Sequence, residues 1–150
     1  MSEAPSPSRR LKLRAQDDED LQILSACLQD ALVPLGDMLY EPSAGRFAMV
    51  VNRFMWEAPP ERRADGDAVH ARIHGILSVH EVTGVQLRGI DRSRTKEPLC
   101  LLGLQRQGEA IHLEFAGGGT IRVTAAALHV YLEDMGEPWP TVWRPTHPDA

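Results

Sequence analysis

The chain has 150 residues, 43% of them hydrophobic and 25% charged, with a formal net charge of -5 at pH 7. Such usage excludes global disorder and fibrous repeats, and a chain of this length buries about 68–70% of its unfolded surface, enough for one domain without staples. The negative balance argues against a general nucleic-acid binder, which needs a basic face to displace counterions from phosphates, but it leaves room for a local basic patch.

Residues 1–10 combine Pro5 and Pro7 with serines and have too little apolar surface to offset ordering entropy, so a disordered tail is expected ahead of a single globular domain over residues 11–137. They also lack the apolar stretch of a secretory signal, and no apolar run reaches the roughly 20 residues that span a bilayer, so no membrane insertion is expected and the cytoplasm is the default location. Leu11-Lys12-Leu13 alternates weakly, as a short edge strand does. Asp17-Asp18-Glu19-Asp20 places carboxylates where a helix N-terminus favours anions. The alternative, a metal or basic-partner site, is weaker because consecutive residues point around a helix axis. Leu21, Leu24 and Leu28 form the apolar stripe of an N-terminal helix to about Gln29, widened by Cys27 and limited by Pro34. Cys27 and Cys100, the two cysteines of the chain, fall in apolar patterns and are read as free core thiols.

From Leu32 the pattern becomes strand-like. Residues 41–45 are turn chemistry between strands at 38–40 and 47–56, a hairpin whose second strand is apolar at both parities and so central; Asn52 and Arg53 interrupt it. Residues 58–67, with Pro59-Pro60 and Gly66, mark an exposed loop suited to a mobile flap. Residues 69–79 alternate cleanly, with Val69, Ala71, Ile73, Leu77 and Val79 inward and His70, Arg72, His74 and Ser78 on a wet face. Thr83-Gly84 turns the chain back into a strand at 85–90, a polar loop at 91–97 leads to a strand at 99–106, and Gln107-Gly108-Glu109 turns again.

Ile111, Leu113 and Phe115 then alternate with His112 and Glu114, Gly117-Gly118-Gly119 supplies a hairpin turn, and residues 120–123 return. Thr124 reads as the N-cap of a helix from about Ala125 to Met135, with Leu128, Tyr131, Leu132 and Met135 on one face and Gly136 as its stop. Residues 138–150, rich in Pro and Trp, read as an extended tail docked on the domain through Trp139 and Trp143. The predicted class is α+β, mostly antiparallel β. About seven strands with short connections resemble a pleckstrin-homology-like barrel closed by a C-terminal helix, with an extra N-terminal helix; a sandwich with both helices on one sheet face is the alternative.

No catalytic constellation is legible. His70 and His74 would lie roughly 13 Å apart on a strand at about 3.3 Å per residue, too far for one metal. His112-Leu113-Glu114 lacks the Pro-Cys-x-x-Cys partner of zinc deaminases. Ser78, His80 and Glu81 cannot form a relay, because Glu81 points away from the other two. The glycine triplet precedes Thr120-Ile121, not the Lys-Ser/Thr of a phosphate loop. Neither a metal site nor a cofactor is indicated.

The suggestive stretch is residues 88–96, where Arg88, Arg92, Arg94 and Lys96 outweigh Asp91. Such a loop holds a phosphate or an acidic partner, or it is a solvated turn with Asp91 paired to a neighbouring arginine.

Leu28-Gln29-Asp30-Ala31, Val51-Asn52-Arg53-Phe54, Arg88-Gly89-Ile90-Asp91-Arg92-Ser93, Phe115-Ala116-Gly117-Gly118-Gly119 and Leu132-Glu133-Asp134-Met135-Gly136 stand in an order that resembles the family called domain of unknown function 2948, small single-domain proteins of alphaproteobacteria. The resemblance covers roughly residues 11–143. It implies a bacterial cytoplasmic protein and contributes no catalytic residue. Three functional expectations follow: a non-enzymatic module that binds a protein partner through residues 88–96; an enzyme or binder for a small anionic metabolite, with Arg53, Arg88 and Arg92 as anion holders and a histidine as base; and a homodimeric scaffold joined through an edge strand.

Overall fold

The computed structural model describes residues 10–62, 66 and 68–145. The expected tail at 1–9, most of the loop centre at 63–67 and the last residues, 146–150, lie outside that set.

The N-terminal part follows the sequence reading. Strand β1 (Lys12–Ala15) lies at a sheet edge, and helix α1 (Asp18–Cys27) follows. Asp17 is its N-cap, its carboxylate accepting from the Asp20 N–H at 2.8 Å, and Asp18, Glu19 and Asp20 occupy the first turn. The acidic run is therefore a helix start, as the dipole argument requires. Leu21, Leu24 and Leu28 are buried, and α1 packs on β1 and on β8 (Pro98–Gln107).

All remaining elements are strands or short 3-10 turns: β2 (Ala31–Pro34), β3 (Met38–Glu41), β4 (Arg46–Phe54), β5 (Glu61–Arg62), β6 (Ala68–Val79), β7 (Val82–Arg88), β9 (Ala110–Phe115), β10 (Thr120–Ala125) and β11 (Val130–Thr141). They form one antiparallel assembly of 11 strands in the order β1-β11-β6-β4-β2-β8-β9-β10-β7, with β3 added on β4 and β5 on β6. The count exceeds the expected seven because β1 stands outside the seven counted from Leu32 and because β2, β5 and β11 are not separable by pattern alone. The sheet does not close into a barrel. Among the described residues its ends, β1 and β7, do not pair; β7 returns to β4 and the turn before it, where the Val82 N–H donates to the Gly45 carbonyl at 2.8 Å.

The expected hairpin of β3 and β4 is present, and β4 is central, with Phe47, Met49, Val51 and Arg53 buried on one parity. On β6 the odd positions Ile73, Leu77 and Val79 face the core as read, but Arg72 on the supposedly wet face is buried. The turn into β7 falls at His80-Glu81 rather than Thr83-Gly84. Glu81 adopts φ 56°, and the Ala126 N–H and the His129 carbonyl bind its flanks.

The C-terminal helix does not exist. Residues 130–141 form β11, laddered to β6 on one side and β1 on the other. The segment carries two competing patterns: a helical stripe of Leu128, Tyr131, Leu132 and Met135, and a strand alternation of Leu128, Val130, Leu132 and Asp134. The second set is the buried one. Two ready strand partners and the β-branched and aromatic Val130 and Tyr131 outweigh the propensity of the alanine triplet. Gly136, at φ 71°, is no helix stop; it sits in the bulge where the β11–β6 register shifts between Met135 and Trp139. Pro138 and Pro140 are tolerated because β1 does not extend to that part of β11, leaving one backbone edge without a ladder.

Candidate anion-binding face

The core side of β7, β10 and β9 is fixed by period-2 alternation: Ile111, Leu113, Phe115, Ile121 and Val123 are buried, with Val85 and Leu87 packed against them. The intervening residues face outward in register. Arg88 lies opposite Thr120 and Thr120 opposite Glu114; Gln86 lies opposite Arg122 and Arg122 opposite His112. Arg92 reaches the same place from the loop after β7. Arg88, Arg92, Arg122, Gln86, Thr120 and His112 line one open concavity of about 540 Å³.

The glycines explain why the loop lies there. Gly89, at φ 70°, passes so close to the β9–β10 turn that a Cβ would sit 3.1 Å from the Gly118 carbonyl oxygen, and a Cβ on Gly119 would sit 2.8 Å from Cγ1 of Ile90. Close approach therefore requires glycine at Gly89 and Gly119, while Gly117 and Gly118, at φ 87° and 93°, supply the turn itself. Ile90 packs against the core, and the Gly36 N–H donates to the Thr95 carbonyl at 2.9 Å, so the loop is anchored at both ends. Between the anchors Asp91 accepts from the Ser93 hydroxyl at 2.6 Å and the Ser93 N–H at 3.0 Å. These bonds hold its carboxyl below the usual carboxylate range.

The expected site residues part company here. Arg88 and Arg92 are brought together. Arg94 turns to carboxylates of its own loop, 3.4 Å from both Asp91 and Glu97, and Lys96 is exposed in that loop. Arg53 is elsewhere: its side chain is 0% exposed in the core, with Nε and Nη2 donating to Asp134 at 2.8 and 2.7 Å and Nη1 and Nη2 to Glu57 at 3.0 and 2.8 Å. Burial works to lower its pKa, but these bonds and charges outweigh it and raise the pKa above the ordinary value. The buried Asp134 also accepts from the Leu11 N–H at 2.8 Å. Gly75 lies beside it, where a Cβ would meet the Glu133 carbonyl oxygen at 3.2 Å and the Asp134 carboxylate at 3.4 Å. Arg53 is thus held by two carboxylates and does not line the concavity that brings Arg88 and Arg92 together.

Sequence reasoning missed Arg122, whose only signal was its outward place between Ile121 and Val123. Among the described residues Arg88, Arg92 and Arg122 form no ion pair, whereas Arg10, Arg46 and Arg106 pair with Glu137, Glu41 and Asp18. His112 stands 3.8 Å from Glu114, which accepts from the Thr120 hydroxyl at 2.9 Å. Among the described residues no three His, Cys, Asp or Glu side chains converge as metal ligands. Cys27 and Cys100 are free and half-buried, and burial pushes both thiols up.

A family model described as protein of unknown function, DUF2948, matches residues 11–147. The chain belongs to this family. The DUF2948 match spans every element from β1 to β11, including the basic loop and the glycine triplet. No curated protein and no solved structure gave a match.

Proposed function

We propose that this DUF2948 protein is a non-enzymatic binding module that takes an acidic segment of a protein partner on the outer face of β7, β10 and β9. One observation carries the reading: three guanidiniums without ion-pair partners among the described residues, Arg88, Arg92 and Arg122, line the same concavity. Like charges so placed repel one another, and a carboxylate relieves the repulsion while accepting bidentate hydrogen bonds. The free edge of β7 borders the face and offers main-chain groups to an extended peptide. Free cysteines fit a reducing compartment, which supports a bacterial cytoplasmic setting. Among the described residues no helix is long and apolar enough to cross a membrane.

The test is fluorescence anisotropy with a labelled oligo-glutamate peptide. Binding is expected to weaken as salt rises, and the double variant Arg92→Glu/Arg122→Glu is expected to lose about tenfold or more in affinity, equal to about 1.4 kcal/mol. Unchanged affinity in that variant refutes the reading. A second reading, a small anionic metabolite, is favoured by the size of the concavity, about 540 Å³, and by His112 beside the arginines. Saturable calorimetric binding of inorganic phosphate, with no peptide binding, would favour it.

A further inference from the structure

Arg53 and Arg72 are the two buried arginines among the described residues, and they are satisfied very differently. Arg53 has carboxylate acceptors at Nε, Nη1 and Nη2. Arg72, 5% exposed, lies on the other face of the sheet, opposite Phe54 on β4 and Trp139 on β11. Its Nη1 donates to the backbone carbonyl and the side-chain oxygen of Asn52 at 3.2 and 3.1 Å. Its Nη2 is buried and has no hydrogen-bond partner among the described residues. Two aromatic rings lie against the guanidinium, with the Phe54 centroid at 5.7 Å and the Trp143 centroid at 5.5 Å.

A guanidinium does not shed its proton in a protein, so the site holds a positive charge whatever its surroundings. Burial depresses its pKa, and the nearby Asp30 carboxylate acts in the opposite direction. Nearly all buried donors in native proteins find an acceptor. The natural complement of a buried cationic N–H is an oxygen carrying negative charge, because a charge-assisted bond offsets the desolvation that a neutral acceptor leaves uncompensated. The cover over Arg72 is light. Trp143 is 61% exposed, and its backbone is held by hydrogen bonds with Thr141 at 3.2 and 3.4 Å, so the ring leaves Arg72 by giving up a cation–π contact.

We infer that Arg72 is a second anion site, in which Nη2, beside Asn52 and beneath the Trp143 ring, receives one oxyanion oxygen of a small carboxylate or phosphate. The site shares no residue with the arginine face, whose concavity is lined from β7, β9, β10 and the loop after β7.

The test titrates the full chain with sodium acetate and, separately, with inorganic phosphate, at ionic strength held constant with chloride. Tryptophan fluorescence and the side-chain nitrogen resonances of the arginines are followed together. A saturable fluorescence change is expected, with the Arg72 resonances moving and those of Arg53 staying. A response to acetate alone assigns a carboxylate ligand, and a response to phosphate alone assigns a phosphate. Arg72→Gln is expected to lose the response, whereas Arg88→Glu/Arg92→Glu/Arg122→Glu keeps it, so failure of this site and failure of the arginine face are told apart. Should Arg72→Gln not fold, Trp143→Ala, which removes an exposed ring, is expected to keep the anion-dependent shift of Arg72. The inference is overturned if neither anion saturates, if the Arg72 resonances do not move in the wild type or in Trp143→Ala, or if folded Arg72→Gln still responds.

Discussion

Replacing Asp134 by alanine leaves the Arg53 charge in the core with half of its partners gone. The substitution removes the acceptor of two Arg53 bonds, at 2.8 and 2.7 Å, and of the Leu11 N–H at 2.8 Å. Breaking a buried ion pair by removing one partner costs about 3–5 kcal/mol. Glu57 remains bonded to Arg53, and its side chain is partly exposed, which places the loss in the lower half of that range, about 3–4 kcal/mol. At about 2–4 °C per kcal/mol for a chain of this size, Tm should fall by roughly 6–16 °C. Urea melts followed by circular dichroism measure the change, with Arg94→Ala as an exposed control expected within about 0.5 kcal/mol of wild type. The double variant Arg53→Met/Asp134→Leu should recover most of the loss, since an apolar pair of similar volume removes the charge along with its partner. An Asp134→Ala protein within about 1 kcal/mol of wild type would refute the assignment of this cluster to stability.

Three other outcomes follow from the geometry. Leu24→Ala opens a cavity under α1 and should cost about 2–5 kcal/mol, whereas Ile23→Ala, at a position 55% exposed on the same helix, should cost under about 0.5 kcal/mol; equal losses in denaturant melts would contradict the packing of α1. Gly89→Ala places a Cβ at φ 70° and 3.1 Å from the Gly118 oxygen; it should destabilise by about 1–3 kcal/mol and weaken peptide binding by displacing Arg92, as anisotropy and a thermal melt on one sample would show. The Asp91 carboxyl is depressed by its Ser93 bonds, so the turn it caps persists as pH falls past the ordinary carboxylate range and opens only as pH drops through the lower folded-state pKa. The Ser93 amide resonance reports this, and a midpoint at or above the ordinary aspartate value would contradict the capping.

What the sequence made legible was local. The Leu21, Leu24 and Leu28 stripe behind the Asp17 cap, the alternation of β6 and β9 and the glycine hairpin all depend on neighbours in the chain. What it hid depends on distant pairing. Residues 125–135 satisfy a helical and a strand period together, and only the ladders to β1, more than a hundred residues earlier, and to β6 decide between them. Arg53 looked like an interruption in an apolar strand because its acceptor, Asp134, lies 81 residues away. The basic loop was visible as composition, but the site was not. Arg122 and His112 join Arg88 only through the pairing of β7 with β10, a pairing between strands that are not consecutive in the chain.

Whether the arginine face takes an acidic ligand is tested most directly by an amide-resonance titration of the full chain with an oligo-glutamate peptide. The expected result is saturable shifts concentrated at residues 85–92, His112 and residues 120–122, abolished by Arg88→Glu/Arg92→Glu/Arg122→Glu. Shifts confined to another surface, or none at all at low salt, would contradict it.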